Sequence, residues 1–239
     1  MLKVQATQKT TVNKGDFMNK KFTRNDDDDE MFFSPMKGPL GFTVNTRQMH
    51  NFSVHINEEI KSPDYYSKIF DMLIDAGEAD MVTFFVCSPG GRVDGLNVLL
   101  EGIRMTEAHT VAVLLGECHS AASILALNCN EIIVTDSAES LVHSCRFGSS
   151  GKAADIAAHT AHTLKTTEKL ARETYGNGFL TDTELSQMLE GKEFYFDAEQ
   201  LRERLNRRME VMEAEFNALQ NPEPQPKKPS RKKKEPTQA

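Results

Sequence analysis

Two uninterrupted apolar runs govern what this chain can fold into. Met81-Val82-Thr83-Phe84-Phe85-Val86-Cys87 is closed by Ser88-Pro89-Gly90-Gly91, and Thr110-Val111-Ala112-Val113-Leu114-Leu115 is closed by Gly116. Short apolar runs without polar alternation read as strands buried on both faces, the pattern of parallel sheets covered by helices. Between the two runs, Val93 to about Glu107 is amphipathic at helical spacing, which makes the unit strand, helix, strand. Ser120 to Asn128 reads as a helix of small residues, Glu131 to Thr135 as a third strand, and Ser140 to His143 as a short fourth. Upstream, Phe52-Ser53-Val54-His55-Ile56 alternates like a strand. Ser62-Pro63-Asp64 starts a helix, with Ser as N-cap and Pro at the first position. Its apolar residues are Tyr65, Ile69, Met72, Leu73 and Ala76, and Gly77 ends it. Alternating strands and helices predict an α/β domain with a largely parallel sheet.

Downstream, Asp155 to about Tyr175 is a long helix with a thin apolar stripe (Ile156, Ala157, Leu164, Leu170), suited to exposure or to packing on another subunit. Gly176-Asn177-Gly178 stops it. Thr181-Asp182-Thr183-Glu184 has the form of a capping box. Phe194-Tyr195-Phe196 reads as a strand, and Asp197-Ala198-Glu199-Gln200 opens a last helix that ends near Leu219. The chain therefore divides into a polar, flexible arm (1–41), a globular domain (42–216) and a Pro/Lys-rich disordered tail (217–239). The arm carries the charge block Asn25-Asp26-Asp27-Asp28-Asp29-Glu30 and the apolar patch Met31-Phe32-Phe33, which reads either as a docking segment or as a strand or turn packed on its own domain.

Of 239 residues, 39% are hydrophobic, enough for a sizeable core once the flanks are set aside. The formal charge of −7 is uneven: six basic and two acidic residues leave the tail at +4 and the remainder at −11. An acidic body argues against a general nucleic-acid binder. The tail reads either as a solvated segment or as a contact for an acidic partner. Four cysteines (Cys87, Cys118, Cys129, Cys145) lack paired metal-ligand spacing and read as small buried thiols of a reducing compartment. No run approaches a membrane span, no apolar signal core opens the chain, and the reading is a cytoplasmic protein.

The residues that carry chemistry cluster after the strands. Ser120 follows a buried strand and opens an alanine-rich helix, a place for either a plain N-cap or an exposed nucleophile beside helix N–H groups. Gly90-Gly91 lies 29 residues earlier, at the end of the preceding strand, where α/β sites form. Glycine N–H groups there can reach a developing oxyanion. His143 lies 23 residues after Ser120 among apolar neighbours and is either a buried structural histidine or a general base. His119 is a rival base by adjacency alone. His159 and His162 nominally share a helix face but read as solvated rather than metal-binding.

The order SPGG, G-x-x-x-S-A-A at a strand–helix junction, L-V-H, G-K-A-A-D-I opening a long helix and F-Y-F-D-A-E before the last helix resembles the Clp protease proteolytic subunit (ClpP) family, from about Phe52 to Arg208. The resemblance implies a ClpP/crotonase-type α/β spiral with a protruding handle helix at Gly151–Tyr175. It implies a serine endopeptidase cutting unfolded polypeptide into short peptides: Ser120 as nucleophile, His143 as general base, Gly91 and Ala121 as oxyanion donors. It further implies stacked heptameric rings and an ATP-driven AAA+ unfoldase as partner. No cofactor and no metal are implied, and the chain has no GxxxxGK[ST] phosphate loop.

This chain departs from the family in three ways. Glu193 stands where the family has aspartate as third catalytic member, with Asp197 the alternative. Cys118-His119 stands where small residues are common. The arm and the tail have no family counterpart, and such appended arms also suit a virus-encoded homologue. The altered acid motivates a second reading, a catalytically weak or inactive ring scaffold or regulatory subunit. An acyl-CoA enzyme of the crotonase type lacks a Ser–His pair in this order.

Overall fold

The computed structural model describes residues 3–4 and 49–220. The polar arm, apart from Lys3–Val4, and the basic tail lie outside the described residues, and so do the acidic block and the Met31-Phe32-Phe33 patch. The chain forms two compact units, Met1–Glu139 and Ser140–Ala239.

The first unit is built on a parallel sheet. Its elements are β1 (Lys3–Val4), β2 (Asn51–Ile56), a 3₁₀ turn (Pro63–Tyr66) leading into α1 (Ser67–Asp75), β3 (Met81–Ser88), α2 (Val93–Met105), β4 (His109–Cys118), α3 (Ala121–Leu127) and β5 (Glu131–Val134). The strand order is β1-β5-β4-β3-β2 with every pairing parallel. From β2 to β5 each new strand is laid on the same advancing edge. Parallel crossovers are right-handed, so three crossovers stepping in one direction set α1, α2 and α3 on the same face of the sheet.

That stacking corrects one expectation. β3 is not buried on both faces: Val82, Phe84, Val86 and Ser88 are buried beneath the helices, whereas Met81 and Cys87 on the other face are exposed. On β4 the other face is buried at Val111 but opens toward the strand's C-terminal end, where Leu115 is 44% exposed, while Ala112 and Leu114 are buried beneath the helices. Leu73, Leu96, Leu99, Leu100 and Leu125 complete the core from the helix side.

Two local readings also shift. Tyr66, not Tyr65, is the buried tyrosine, because the opening turn is 3₁₀ rather than α and its tighter pitch rotates the face presented to the core. The Tyr66 hydroxyl accepts the Lys61 N–H at 3.0 Å. Ser62 occupies the N-cap position but its side chain makes no capping bond. β4 does not stop at Gly116 but continues to Cys118. The strand passes through because the glycine has no side chain to meet the Cys87 sulfur, which would lie 3.1 Å from a Cβ. The extra length is taken up by a register shift between Val86 and Ser88, which sets Cys118 beside Ser88.

The second unit pairs β6 (Ser140–Val142) antiparallel with β7 (Phe194–Phe196), with α4 (Ala153–Tyr175), α5 (Asp182–Leu189) and α6 (Ala198–Gln220). Its core holds Val142, Tyr175, Phe179, Leu180, Met188, Phe196, Leu201 and Leu205. The α4 stripe is as thin as its sequence: only Ala171, Thr174 and Tyr175, in the last turns, are buried. The capping box of α5 forms as expected, with the Glu184 N–H donating to Thr181 Oγ1 and the Thr181 N–H to Glu184 Oε2. Glu184 also accepts both arms of the Arg204 guanidinium at 2.7 and 2.9 Å, and that guanidinium covers the Phe196 ring.

Two predictions follow from this packing. A Cβ on Gly95 in α2 would lie 1.9 Å from the Lys61 carbonyl oxygen, so Gly95→Ala forces helix and loop apart. It is expected to destabilise the fold by about 3 kcal/mol in urea titrations; an unchanged midpoint refutes the close approach. The Arg204 guanidinium holds the Glu184 carboxyl down to about 2, against 4.5 for a free side chain. A lowered folded-state pKa adds stability that is complete above the unfolded value and is lost as pH falls from about 4.5 toward about 2. Glu184→Gln is expected to flatten that acid-side loss in denaturation midpoints measured across this range.

Candidate active site

The candidate site residues fall into two groups, one in each unit. In the first unit, β4 delivers the chain to Ser120, where it turns sharply into α3. Ser120 has φ 54° and ψ −121° and is the only non-glycine residue with positive φ among the described residues. An L-residue in that region carries strain of about 1–3 kcal/mol, and such residues collect at functional sites. The turn is the geometry of a nucleophile elbow, a serine held on a tight bend between strand and helix.

The glycine loop lies directly against this bend. A Cβ on Gly90 would meet the His119 carbonyl oxygen at 2.6 Å and the Ser120 Cβ at 2.8 Å, so no other residue fits. Both glycines have positive φ, 90° at Gly90 and 145° at Gly91. The His119 N–H donates to the Ser88 carbonyl at 3.0 Å, tying loop to elbow. The buried Ser88 hydroxyl donates to the Glu58 carbonyl at 2.7 Å and accepts the Gly90 N–H at 3.1 Å. Ile60 braces the other side: its N–H donates to Gly90 O and its carbonyl accepts the Arg92 N–H. These bonds occupy the groups flanking Gly91 but leave the Gly91 and Ala121 N–H groups without a hydrogen-bond acceptor among the described residues. Gly91 follows the glycine that packs on Ser120, and Ala121 follows Ser120 itself. Sequence reasoning found the glycines but missed Ser88, whose only signal was a hydroxyl where an apolar strand ends.

In the second unit the β6–β7 ladder positions the imidazole. Val142 pairs with Phe194, and in an antiparallel ladder the next positions outward are His143 and Glu193. The register therefore brings opposite each other two residues fifty apart in sequence. His143 Nδ1 lies 2.6 Å from the Ser144 carbonyl oxygen, so it carries the proton, and the neutral ring has Nε2 as its basic nitrogen. Glu193 Oε1 accepts from Arg146 Nη2, and its Oε2 accepts from the Tyr195 hydroxyl at 3.3 Å. Arg146 first, with help from Tyr195 and the nearby His143, lowers the Glu193 pKa below the usual carboxylate value. Arg146 stands in no motif, and Tyr195 stands inside F-Y-F-D-A-E with nothing there to mark it as a partner of Glu193.

The remaining candidates have other partners. Asp197 caps α6: its Oδ1 accepts the Gln200 N–H at 2.9 Å, and the Gln200 side chain returns the bond to the Asp197 N–H. The His119 ring lies 4.0 Å from a Glu117 carboxylate oxygen and 3.6 Å from one of Glu139, and its buried Nε2 makes no hydrogen bond among the described residues. His159 and His162 are exposed on α4, with His159 edge-on to Phe147. No cluster suited to a metal ion occurs among the described residues. Cys118 and Cys129 are buried as expected, whereas Cys87 is exposed and Cys145 half-buried. Burial pushes the Cys118 thiol up and Cys129 to about 12, so both stay protonated near neutral pH and are poor nucleophiles.

The chain belongs to the Clp protease family, whose model matches residues 38–203. That span contains both groups of candidate residues, and the α/β architecture with its parallel sheet is consistent with the ClpP-type fold. No curated protein matches the chain.

The strained bend makes a prediction about stability. Glycine relieves the positive φ and alanine does not. Ser120→Gly is therefore expected to be more stable than Ser120→Ala by about 1 kcal/mol, although glycine loosens the unfolded chain more. Calorimetry or urea titration reads the difference, and an order with alanine the more stable refutes strain at the elbow.

Proposed function

We propose that the chain is a ClpP-like serine endopeptidase subunit that cleaves unfolded polypeptide. The observation that carries this reading is the Ser120 elbow, with Gly90 packed against it and the Gly91 and Ala121 N–H groups unpaired. In the proposed reaction, Ser120 Oγ attacks the peptide carbonyl carbon and passes its proton to His143 Nε2. The carbonyl oxygen becomes an oxyanion that accepts hydrogen bonds from Gly91 and Ala121, a contribution of about 2.7–4 kcal/mol for each donor in comparable sites. The intermediate collapses, the C–N bond breaks, and His143 gives the proton to the departing amine. Water, deprotonated by His143, then attacks the acyl ester; the acyl–Oγ bond breaks, His143 returns the proton to Ser120 Oγ, and the carboxylic acid product leaves. Glu193 is the proposed orienting acid, supported by its place opposite His143 in the ladder register. The peptidase domain is proposed to span 42–216.

Self-assembly is part of the same reading. The half-open face of the parallel sheet and the 23-residue α4, with Leu164 53% exposed, leave apolar surface suited to other copies of the chain. Heptameric rings stacked through α4 and fed by an AAA+ unfoldase are the assembly proposed. Among the described residues no helix is long and apolar enough to cross a membrane.

The test uses a fluorophosphonate probe and a fluorogenic peptide. Wild type is expected to label at Ser120 and to hydrolyse the peptide, Ser120→Ala to do neither, and His143→Ala to label at least about a hundredfold more slowly. Labelling that persists in Ser120→Ala, or a folded wild type that neither labels nor cleaves under any condition that permits assembly, overturns the reading in favour of a scaffold. Native mass spectrometry reads the ring, and a monomer at tens of micromolar overturns the assembly.

A further inference from the structure

We propose that Arg146 is a positioning residue that holds Glu193 off the His143 imidazole, so that the arrangement seen here is a restrained state of the site. This inference rests on the peptidase reading above and concerns the regulation of that same site.

The β6–β7 ladder ends at Val142 and Phe194, its register extended by one step sets His143 against Glu193, His143 acts electrostatically on the Glu193 carboxylate, and directly opposed antiparallel residues have Cβ atoms about 4.5–5.5 Å apart. That separation is within reach of an imidazole N–H to carboxylate bond. Yet neither partner makes it. The His143 Nδ1 proton goes to the Ser144 carbonyl at 2.6 Å. Both Glu193 oxygens are also occupied, one by the Arg146 guanidinium and the other by the Tyr195 hydroxyl. The charge that would stabilise an imidazolium is thus compensated by a guanidinium three residues beyond the histidine.

The chain's departures from its family fit this geometry. Glutamate is one methylene longer than aspartate, so its carboxylate can turn toward Arg146 in the loop after β6. Arg146 is 75% exposed and Glu193 34%, and exposed ion pairs are weak. The restraint can therefore open without disturbing the core, for example when another anion takes the guanidinium. Among the titratable groups, Glu193 acts electrostatically with the imidazole, Arg146 and Tyr195 reach it through Glu193, and the half-buried Cys145 lies two residues on in the same loop, its thiol pushed up by burial. Freeing Glu193 leaves a single uncompensated negative charge beside the ring. That charge favours the imidazolium, so the base accepts the Ser120 proton more readily and the acid limb of the pH–rate profile moves to higher pH.

The experiment measures the second-order rate of fluorophosphonate labelling from pH 5.5 to 9 in the full chain. Arg146→Ala is expected to label about fivefold faster than wild type at pH 8, the scale on which an exposed ion pair can hold a side chain, with its acid limb moved upward. Glu193→Gln is expected to reduce the rate about fivefold more in the Arg146→Ala background than in wild type, a coupling opposite in sign to that of a stabilising pair, in which the second substitution costs less. Arg146→Lys retains a cation and is expected to fall between. Thermal melts of each variant check folding. Ser120-dependent labelling with equal rates and profiles in wild type and Arg146→Ala overturns the restraint alone. Labelling independent of Ser120 in both, or absent from both, overturns the peptidase reading and the restraint with it.

Discussion

The close approach of Gly90 to Ser120 is the constraint on which the first unit's candidate chemistry depends. It exists because β4 runs past Gly116, slips its register against β3, and arrives with Cys118 beside Ser88. Had β4 ended at Gly116, the bend would stand short of the glycine loop, and Gly90 would not pack on Ser120. The strain at Ser120 is held by ordinary bonds: Ser88 to Glu58, Ile60 to Gly90, His119 to Ser88. Backbone strain persists only where the surroundings over-determine it, and here three elements meet around one turn.

The second unit solves a different problem with the same economy of means. Two three-residue strands are too short to be stable alone. They persist because Val142 and Phe196 are buried and because Arg204 both covers Phe196 and fastens the start of α5 through Glu184. The ladder they form is long enough to fix which residues oppose each other at its end. Those residues are the histidine and the acid.

Much of this was legible in the residues. The apolar runs and the small-residue turns located β3, β4 and the helices between them, and S-P-G-G with G-x-x-x-S-A-A located the glycine loop and the elbow. The capping box at Thr181 and the ladder strand at Phe194 were visible in the same way, because each is a local pattern. What escaped were effects of long-range placement. One-sided burial of the sheet follows from the direction in which successive crossovers step, not from the composition of any strand. The choice of Tyr66 over Tyr65 depended on a 3₁₀ turn. The passage of β4 through Gly116 brings that glycine against the sulfur of Cys87, which belongs to the neighbouring strand. The pairing of Glu193 with Arg146 joins residues 47 apart and leaves no periodic trace.

α4 carries a consequence of its own. Most of its 23 residues project with no core beneath them, and only Ala171, Thr174 and Tyr175 are anchored. Such a helix is held by its backbone bonds and a few side-chain pairs along its own surface, such as Glu168 with Arg172. Its amide protons should therefore exchange with solvent through local opening in the isolated subunit, retaining protection only toward Tyr175. Any surface that comes to rest along it would set the timescale on which the whole element breathes.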